Sequence, residues 1–492
     1  MRPAVWLGVL LFAAAALISG FTILRDIDPF DEGLMLQAAR RVAAGQVPYR
    51  DFLWSYGPTE PYLLAWLIKT VGVSLLDWRI LRMLADAGVA LTAYLLVARR
   101  VPGPPALACW LAVATEMAEP RSANPFPFAL LAVLAALLLA DHRASTDAER
   151  IGCALLIALA ASFRLDFGVY GAAALTAAIA QRAGRNPAAR FVLYAALATA
   201  LVYLPFAIAD GPGPLYDALV GNSLHTGAYW SLPFPLHYHA PHGAGLAKTL
   251  KHGLDFYVPL LTVAGFALLV STRDAGLITL GVGALVYLLS RTDEFHTQPL
   301  FVVVAIGLAL TRANRTTAKA ATTIASLLLA LLLAHGVLNR LSAIHSPQPE
   351  SKINVAAADG VQAPTPEARA IEQLVSIVHR LTKPHDPIYV LPRRSDLVRI
   401  NDPLIYVLTG RANPTPEDFG LQAGAAAQRE IVRRLTAAHV RVIVRWTDPL
   451  SSQAEPNLRG RATGVRILDY WVASHYRLST RLYHYDVLTA LG

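Results

Sequence analysis

Charge is scarce in this chain of 492 residues. Only 16% of its residues are Asp, Glu, Lys or Arg, whereas 55% are hydrophobic and the mean hydropathy is +0.43. Soluble globular domains have about 25% charged residues. The composition therefore excludes an ordinary soluble domain and predicts a protein that is integrated in a membrane.

Cysteines and nucleotide-binding motifs are also scarce. The two cysteines, Cys109 and Cys153, lie in apolar runs, so the sequence predicts neither a disulfide framework nor a thiolate metal site. No Gly-x-Gly-x-x-Gly pattern follows a predicted strand and no P-loop is present, which argues against a nucleotide-linked substrate. The net charge of +9 would suit nucleic acid, but the basic residues lie mostly in short loops between apolar runs. We therefore expect membrane lipids, and no nucleic acid, as partners.

Apolar runs follow one another along the first 340 residues. They predict an all-α polytopic bundle of about eleven membrane-spanning helices. The predicted spans are Ala4–Gly20, Ile80–Ala98, Pro105–Ala118, Phe126–Ala140, Ile151–Phe163, Phe167–Ala180, Phe191–Ala209, Phe256–Val270, Gly276–Leu289, Leu300–Leu310 and Ala320–Leu338. Alternate loops are basic, which places the amino terminus and every second loop in the cytoplasm. The first loop and the carboxy-terminal region then lie outside it.

The sequence predicts three regions. Residues 1–340 form the membrane core, and the first loop (21–79) contributes two interfacial helices, Leu34–Ala44, with Arg40 and Arg41 on its polar side, and Glu60–Val71. Residues 341–367 are rich in Pro, Ala and polar residues and are interpreted as a linker. Residues 368–492 alternate helices with strands and predict a small extracytoplasmic α/β domain. Its predicted elements are the helices Ala368–Leu381, Ala425–Ala437 and Ile467–His475 and the strands Pro387–Leu391, Val440–Val444 and Leu482–Val487.

Acidic residues cluster directly after the first span, in the segment Asp26–Glu32. Carboxylates at the hydrocarbon boundary are costly to desolvate and usually have a function. Asp31 or Glu32 could deprotonate a hydroxyl as it attacks a donor carbon, or the cluster could hold a divalent metal ion. An alternative is purely structural, because Asp28, Pro29 and Asp31 also suit the first turn of a helix.

Two Arg-x-Asp sequences occur at predicted outer turns, one in Arg164–Asp166 and one in Arg291–His296. The planar guanidinium matches phosphate oxygens and stays charged, so these turns are candidates for binding a lipid phosphate. In the alternative interpretation the arginines pair with their own aspartates or with lipid headgroups. The candidate residues are Arg164, Asp166, Arg291, Asp293, Glu294 and His296.

Four histidines, His225, His237, His239 and His242, occur in one outer loop. Histidines at this density could bind zinc, but their spacing matches no fixed zinc motif. The metal requirement therefore stays open.

These features in this order resemble the C-type glycosyltransferase superfamily of membrane enzymes, which includes protein O-mannosyltransferases and lipid A aminoarabinose transferases. The resemblance rests on the first span followed by Asp31-Glu32-Gly33, the segment Ala43–Phe52 and the turn Tyr56-Gly57-Pro58. It implies a polyprenyl-phosphate sugar donor and a first-loop acid as the base, which maps onto Asp31 with Glu32 beside it. Aminoarabinose transferases have a His-Pro-Pro-like turn instead of Tyr56-Gly57-Pro58, so the substrate does not carry over.

We therefore expect an inverting transferase in a bacterial inner membrane. It would move a sugar from a polyprenyl-phosphate carrier to an extracytoplasmic glycan, lipid or protein, with Asp28 and Tyr56 also contacting substrate. One alternative is a transporter of lipid-linked saccharides, which would show internal repeats and charges at the bilayer midplane. Another is a sulfatase-like enzyme with a catalytic tail, but the tail shows no obvious set of metal ligands.

Overall fold

The computed structural model of the chain describes residues 3–122, 124–141, 146–221, 224, 234, 245–311, 319–345, 350–396, 401–418, 424–449 and 462–491. The helices up to residue 344 are α1 (Pro3–Gly20), α2 (Asp31–Ala43), α3 (Thr59–Val71), α4 (Leu75–Ala98), α5 (Pro104–Glu116), α6 (Phe126–Asp141), α7 (Asp147–Phe163), α8 (Leu165–Ala183), α9 (Arg185–Asp210), α10 (Pro212–Tyr216), α11 (Leu246–Ala267), α12 (Ala275–Ser290), α13 (Glu294–Thr311) and α14 (Lys319–Ile344).

Each predicted span overlaps one of these helices, so the predicted helical core is confirmed. Most bounds agree to within six residues, but α11 begins at Leu246, ten residues before the predicted Phe256. Four helical segments in the described ranges are long and apolar enough to cross a membrane: Leu75–Ala98, Arg185–Asp210, His252–Thr272 and Lys319–Ile344. The apolar parts of α1, α6, α12 and α13 are shorter. Helix α13 is buried along most of its length, as expected of a helix that is apolar all round and surrounded by others. The count of eleven crossings stays a prediction.

Ion pairs mark one end of the bundle. Arg100, just after α4, contacts Asp141 at 2.9 Å and Asp274 at 2.7 Å, and Arg182 of α8 contacts Asp141 at 2.8 Å. Because α4, α6 and α8 finish here and α12 begins here, their other ends lie together at the opposite end of the bundle. The first loop and the turns at Arg164 and Arg291 meet at that opposite end.

The carboxy-terminal region forms a four-stranded mixed sheet with helices. Its elements are β1 (Glu350–Lys352), β2 (Gln362–Pro364), α15 (Thr365–Leu381), β3 (Ile388–Pro392), α16 (Leu404–Thr409), α17 (Ala425–Ala437), β4 (Val442–Trp446), α18 (Ile467–His475), β5 (Tyr476–Arg481) and β6 (Tyr485–Ala490). The strand order is β3-β4-β6-β5, and only β3 and β4 run parallel. The strand predicted at Leu482–Val487 is instead a hairpin turn followed by β6, because Leu482 donates a backbone hydrogen bond to Tyr485 across the turn.

The segment predicted to be a linker, 341–367, contains two strands from residue 350 onward. Strands β1 and β2 pair there, and Gln362 donates a backbone hydrogen bond of 2.7 Å to Leu24 at the end of the first span. Ile353, Val361 and Ala363 are buried. The composition was misleading because these few apolar residues are dispersed among polar ones, so no periodic pattern is visible.

The first loop and the carboxy-terminal region share one hydrophobic core. Leu34 and Leu36 of α2 pack in the same buried cluster as Leu404 and Ile405 of α16 and Val390 of β3. Gly33 allows this approach, because a Cβ atom at this position would lie 2.3 Å from the backbone nitrogen of Leu404. Helix α2 is therefore enclosed by protein. On α3, by contrast, Tyr62 and Trp66 remain exposed, and its place at the membrane interface stays a prediction.

Arg41 does not lie on an exposed polar face, as the sequence suggested. Its guanidinium forms a buried ion pair with Asp418, with Nε–Oδ2 at 2.7 Å and Nη2–Oδ1 at 3.1 Å. Arg40 also faces the carboxy-terminal region and donates to the Tyr406 carbonyl. Partners more than 350 residues away are invisible to local patterns.

The Arg41–Asp418 pair provides a test of the contact between the first loop and the carboxy-terminal region. Replacing Arg41 with Met leaves the buried Asp418 carboxylate without its positive partner, so we expect the free energy of unfolding to fall by about 3 kcal/mol. The measurement is thermal unfolding of the purified protein in detergent. Arg433→Met, in an exposed pair with Glu430, is the matched control and should leave the melting temperature unchanged. Equal melting temperatures for both variants would show that the Arg41–Asp418 pair does not stabilise the contact between the first loop and the carboxy-terminal region.

Candidate functional site

The acidic segment after α1 opens onto a cavity of about 490 Å3. Asp28 and Asp31 line it from one side, and residues from the end of α5 and the end of α14 line the other. Asp28 caps α2, because its Oδ1 accepts hydrogen bonds from the backbone nitrogens of Phe30 at 3.1 Å and Asp31 at 3.0 Å. Asp28 therefore has the helix-capping role that the alternative, purely structural interpretation expected. No side-chain hydrogen bond of this kind is made by Asp31 within the described residues.

Glu32 is separated from this cavity. Its carboxylate is fully buried and forms a bidentate ion pair with Arg79 of α4, at 2.7 and 2.9 Å. Arg79 also donates to the carbonyls of Ile23, Arg25 and Asp26, which fixes the chain between α1 and α2. The catalytic role predicted for Glu32 does not agree with this geometry, because both carboxylate oxygens are used to hold the loop. Glu32 positions Asp31, its neighbour in the chain.

Burial and like charges determine the protonation of the two aspartates. Burial raises the pKa of Asp31 well above its usual value; the Asp28 and Asp293 charges raise it further, and Arg291 and Arg82 oppose them. Burial also raises the pKa of Asp28, to about 6, against the effect of the backbone hydrogen bond from Asp31. A carboxylate with a raised pKa is a stronger proton acceptor once it is ionised. Asp31 therefore has the environment of a general base.

The turn at Arg164 is a tightly held cationic centre. Its guanidinium contacts Asp166 in bidentate fashion at 3.0 and 2.7 Å and donates to Asn124 at 2.9 Å. It also lies over three aromatic rings, those of Tyr56, Phe167 and Tyr287, at 5.3, 5.5 and 4.9 Å. Arg164 and Asp166 thus pair with each other, as the alternative interpretation expected, and the pair lies beside Tyr56.

The turn at Arg291 is organised around Asp293. Arg291 Nε lies 2.6 Å from Asp293 Oδ2, and His296 Nδ1 lies 2.7 Å from Asp293 Oδ1. Burial alone would raise the pKa of Asp293, but the hydrogen bond and charge of His296 and the charge of Arg291 lower it below its usual value. Asp293 therefore stays ionised and orients both partners. Glu294 begins α13, and its side chain lies outside the described part of the structure.

One tyrosine joins the two turns. The Tyr287 hydroxyl lies 3.3 Å from Arg164 Nη1, and its ring lies 4.8 Å from that of His296. Gly57 fixes Tyr56 against the same group, since its backbone nitrogen donates to the Phe163 carbonyl at 3.0 Å and a Cβ atom would lie 2.0 Å from the Ser162 oxygen. The structure thus brings together the residues predicted at three separate places: Asp31, Tyr56, Arg164, Asp166, Arg291, Asp293 and His296.

Two charged residues of this group were missed by sequence reasoning. Glu60 of α3 is almost fully buried, and neither of its carboxylate oxygens has a hydrogen-bond partner within the described chain. Burial raises its pKa well above the usual value; Arg82 and Arg164 oppose the effect and Asp31 adds to it. Arg82 of α4 pairs with Asp86 at 2.8 Å and donates to the Ser122 carbonyl. A charged pair inside an apolar span was the available signal.

The far wall of the cavity contains a second buried polar group. His335 of α14 lies between Glu116 of α5, at 2.9 Å, and Asp255 of α11, at 3.5 Å. Glu116 lines the cavity, and so does Glu119, whose carboxylate accepts from Gln298 at 3.2 Å. Polar side chains thus face each other across the space next to Asp31. The chemistry of this wall suits a hydroxylated ligand, because carboxylates accept hydrogen bonds from hydroxyl groups.

Metal binding is not defined by the described residues. Among them, no three His, Cys, Asp or Glu side chains are grouped closely enough to hold an ion. The loop histidines at 225, 237, 239 and 242 lie outside the described residues. A divalent metal ion therefore stays a prediction from the sequence.

Comparison with solved structures identifies the fold. The chain is similar to ArnT of Cupriavidus metallidurans in the apo state, with a TM-score of 0.59 and 14% identity over 99% of this chain and 98% of that chain. For the same protein bound to undecaprenyl phosphate, the TM-score is 0.60 and the identity is 12% over 100% of this chain and 99% of that chain. For the apo oligosaccharyltransferase of Archaeoglobus fulgidus, the TM-score is 0.50 and the identity is 12% over 90% of this chain and 70% of that chain.

These proteins are C-type glycosyltransferases, so the chain has the C-type glycosyltransferase fold. The resemblance inferred from the sequence is thereby confirmed for the fold. No protein-family model matches the sequence, and no curated protein matches it significantly. The likeness is therefore one of architecture, and the residues of the cavity carry the functional argument.

Proposed function

We propose that the chain is an inverting membrane glycosyltransferase that moves a sugar from a polyprenyl-phosphate carrier to an extracytoplasmic acceptor. The main supporting observation is that Asp31, a half-buried carboxylate with a raised pKa, faces a polar cavity and is close enough to Arg291 for their charges to interact. A base and a cation next to each other suit a reaction in which one oxygen loses a proton and another gains negative charge.

In the proposed reaction, an acceptor hydroxyl gives its proton to the Asp31 carboxylate while its oxygen forms a bond to the anomeric carbon. The bond from that carbon to the phosphate oxygen breaks, and its electron pair stays on the leaving polyprenyl phosphate. One displacement from the opposite face inverts the anomeric centre. Arg291, oriented by Asp293, meets the growing charge, and Arg164, paired with Asp166, holds its guanidinium over the ring of Tyr56. Glu32 and Arg79 hold Asp31 in place.

The lipid tail of the donor has an apolar groove available. A pocket of about 710 Å3 between α3 and α9 is lined by Tyr62, Leu63, Val202 and Phe206, among others. Tyr49 packs on Phe206 at 5.4 Å and donates its hydroxyl to the Tyr56 carbonyl at 2.7 Å. The groove thus leads towards the Arg164 turn, where a phosphate at the end of a lipid would lie. The undecaprenyl phosphate bound to ArnT supports this choice of carrier.

The proposed location is a bacterial inner membrane, with the cavity and the carboxy-terminal region on the extracytoplasmic side. The basic loops predicted to face the cytoplasm lie at the end of the bundle opposite the cavity, around Arg100 and Arg182, which agrees with this orientation. The acceptor is a glycan, a lipid or a protein.

The experiment that tests this function uses the purified full chain in liposomes with radiolabelled undecaprenyl-phosphate sugars, offered one at a time, and a cell-envelope extract as acceptor. We expect one donor to be discharged, with label in an acceptor and free undecaprenyl phosphate released in equal amount. Label that crosses the bilayer while still attached to its carrier would identify a transporter and refute the proposal.

The raised carboxyl pKa values predict the pH dependence of transfer. The base form of Asp31 is populated only at a higher pH than an ordinary aspartate, whose pKa is about 4. We therefore expect kcat/KM to rise with pH along an acid limb that lies well above the pKa of an ordinary aspartate. Asp28→Asn keeps an oxygen for the helix cap and removes the like charge, so it should shift the limb to lower pH. An acid limb near pH 4 in the wild type would contradict the assignment.

A further inference from the structure

A row of charged side chains crosses the carboxy-terminal sheet at one end. Arg445 of β4 lies opposite Asp486 of β6, and Asp486 lies opposite Arg481 of β5. Leu391 of β3 is the register partner of Arg445, and Arg393 follows two residues later. The four charged residues therefore come from, or directly follow, all four strands, and they line one pocket of about 450 Å3.

This row of charged residues lies on the same face of the sheet as α17 and α18, beyond the part of that face that the two helices cover. Leu391, Ile443 and Leu488 pack against these helices in one buried cluster. Side chains two residues apart on a strand point to the same face, so Arg445 and Asp486 point to the side of Ile443 and Leu488. The pocket is thus a continuation of this face beyond its apolar cluster.

The pocket is electropositive, because it has three arginines and one carboxylate. The carboxylate is already used, since Asp486 Oδ1 accepts from Arg481 Nε at 2.9 Å. Arg445 forms no ion pair with Asp486, and its buried Nε has no hydrogen-bond partner among the described residues. Such a buried guanidinium nitrogen is costly to leave unpaired, which indicates that a ligand supplies the acceptor.

The position of the pocket in the fold also indicates a ligand site. Arg393 and Arg445 lie at the carboxyl ends of the two parallel strands, β3 and β4. In open α/β sheets, ligands bind outside the carboxyl ends of parallel strands. Arginine forks match the oxygens of a phosphate better than a lysine would.

We propose that Arg393, Arg445 and Arg481 form a binding site for a phosphate group, separate from the site of sugar transfer. The bound phosphate belongs either to a phosphorylated saccharide or to an anionic lipid headgroup, and the chemistry that recognises it is the same. This site does not depend on the proposed transferase activity, because none of its residues lines the cavity at Asp31.

The test is calorimetric binding to the purified full chain in neutral detergent at low salt. Glucose 1-phosphate represents the saccharide, and dihexanoyl-phosphatidylglycerol represents the headgroup. The Arg291→Ala variant is measured beside the wild type. Phosphate binding at the proposed transfer site would then be recognised as binding that this variant loses. We expect at least one probe to bind in both proteins, and the tighter probe identifies the source of the phosphate.

The arginine variants decide whether the pocket is responsible. Arg445→Gln and Arg393→Gln should each weaken binding by about tenfold, because each removes a charge-assisted hydrogen bond. Arg393 is exposed, so its replacement keeps the test valid if Arg445→Gln folds poorly. Arg477→Gln removes an exposed arginine from β5 outside the pocket and should bind like the wild type. The proposal is refuted if neither probe binds, or if Arg393→Gln binds as tightly as Arg477→Gln.

Discussion

Replacing Asp31 with asparagine is expected to lower the rate of sugar transfer by about a hundredfold or more, while the protein stays folded and binds its donor. Asparagine has nearly the same shape and cannot accept the acceptor proton. The helix start should survive, because the side chain of Asp28, and not that of Asp31, accepts the hydrogen bonds from the backbone nitrogens of Phe30 and Asp31. Removing this half-buried charge should even favour folding slightly, since partial burial disfavours the ionised form of Asp31.

Asp26→Asn is the matched control for this variant. Asp26 lines the same cavity five residues earlier, but it is 43% exposed and pairs with Arg121. The control should retain most of the activity. Single-turnover transfer and donor binding are measured for both variants in liposomes, with the donor that the wild type accepts. Wild-type turnover by Asp31→Asn would remove Asp31 from the chemistry and leave the cavity without its proposed base.

The sequence was sufficient for most of the helical core. Long apolar runs are required wherever a helix crosses a membrane, so the spans and their approximate bounds could be read directly. The turn at Tyr56-Gly57-Pro58 could also be predicted, because glycine and proline restrict the backbone there. The helices Ala425–Ala437 and Ile467–His475 have the predicted bounds.

The sequence failed where a side chain finds its partner far along the chain. Glu32 and Asp31 are adjacent acids, and only the fold separates them, since Arg79 lies 47 residues away on another helix. The same applies to Arg41, which looked like a surface residue until α16 and Asp418 covered it. Glu60 was hidden in an apolar, aromatic stretch, where a single acid resembles the polar face of an interfacial helix. Local periodicity reports which face is apolar, and it does not report which charges meet.

The leaving phosphate gives the second large prediction. Arg291→Ala is expected to lower kcat/KM by about a hundredfold or more, because the negative charge on the leaving oxygen would no longer be met by a fixed cation. Arg291→Lys keeps the charge but loses the planar fork, so a loss of about tenfold is expected. Arg190→Ala is the control, because Arg190 pairs with Asp147 at the other end of the bundle and is 61% exposed.

Arg291 separates the catalytic from the anchoring interpretation better than Arg164 does. Arg164 holds Asp166, Asn124 and Tyr287 in place, so its replacement should reduce stability together with activity. Arg291 lies on a turn in which Asp293 also contacts His296 directly, and we expect that contact to remain when Arg291 is removed. Arg291→Ala should therefore melt like the wild type and still transfer poorly. An anchoring role predicts the reverse, a lower melting temperature with unchanged kcat/KM, and that result would place the leaving phosphate elsewhere.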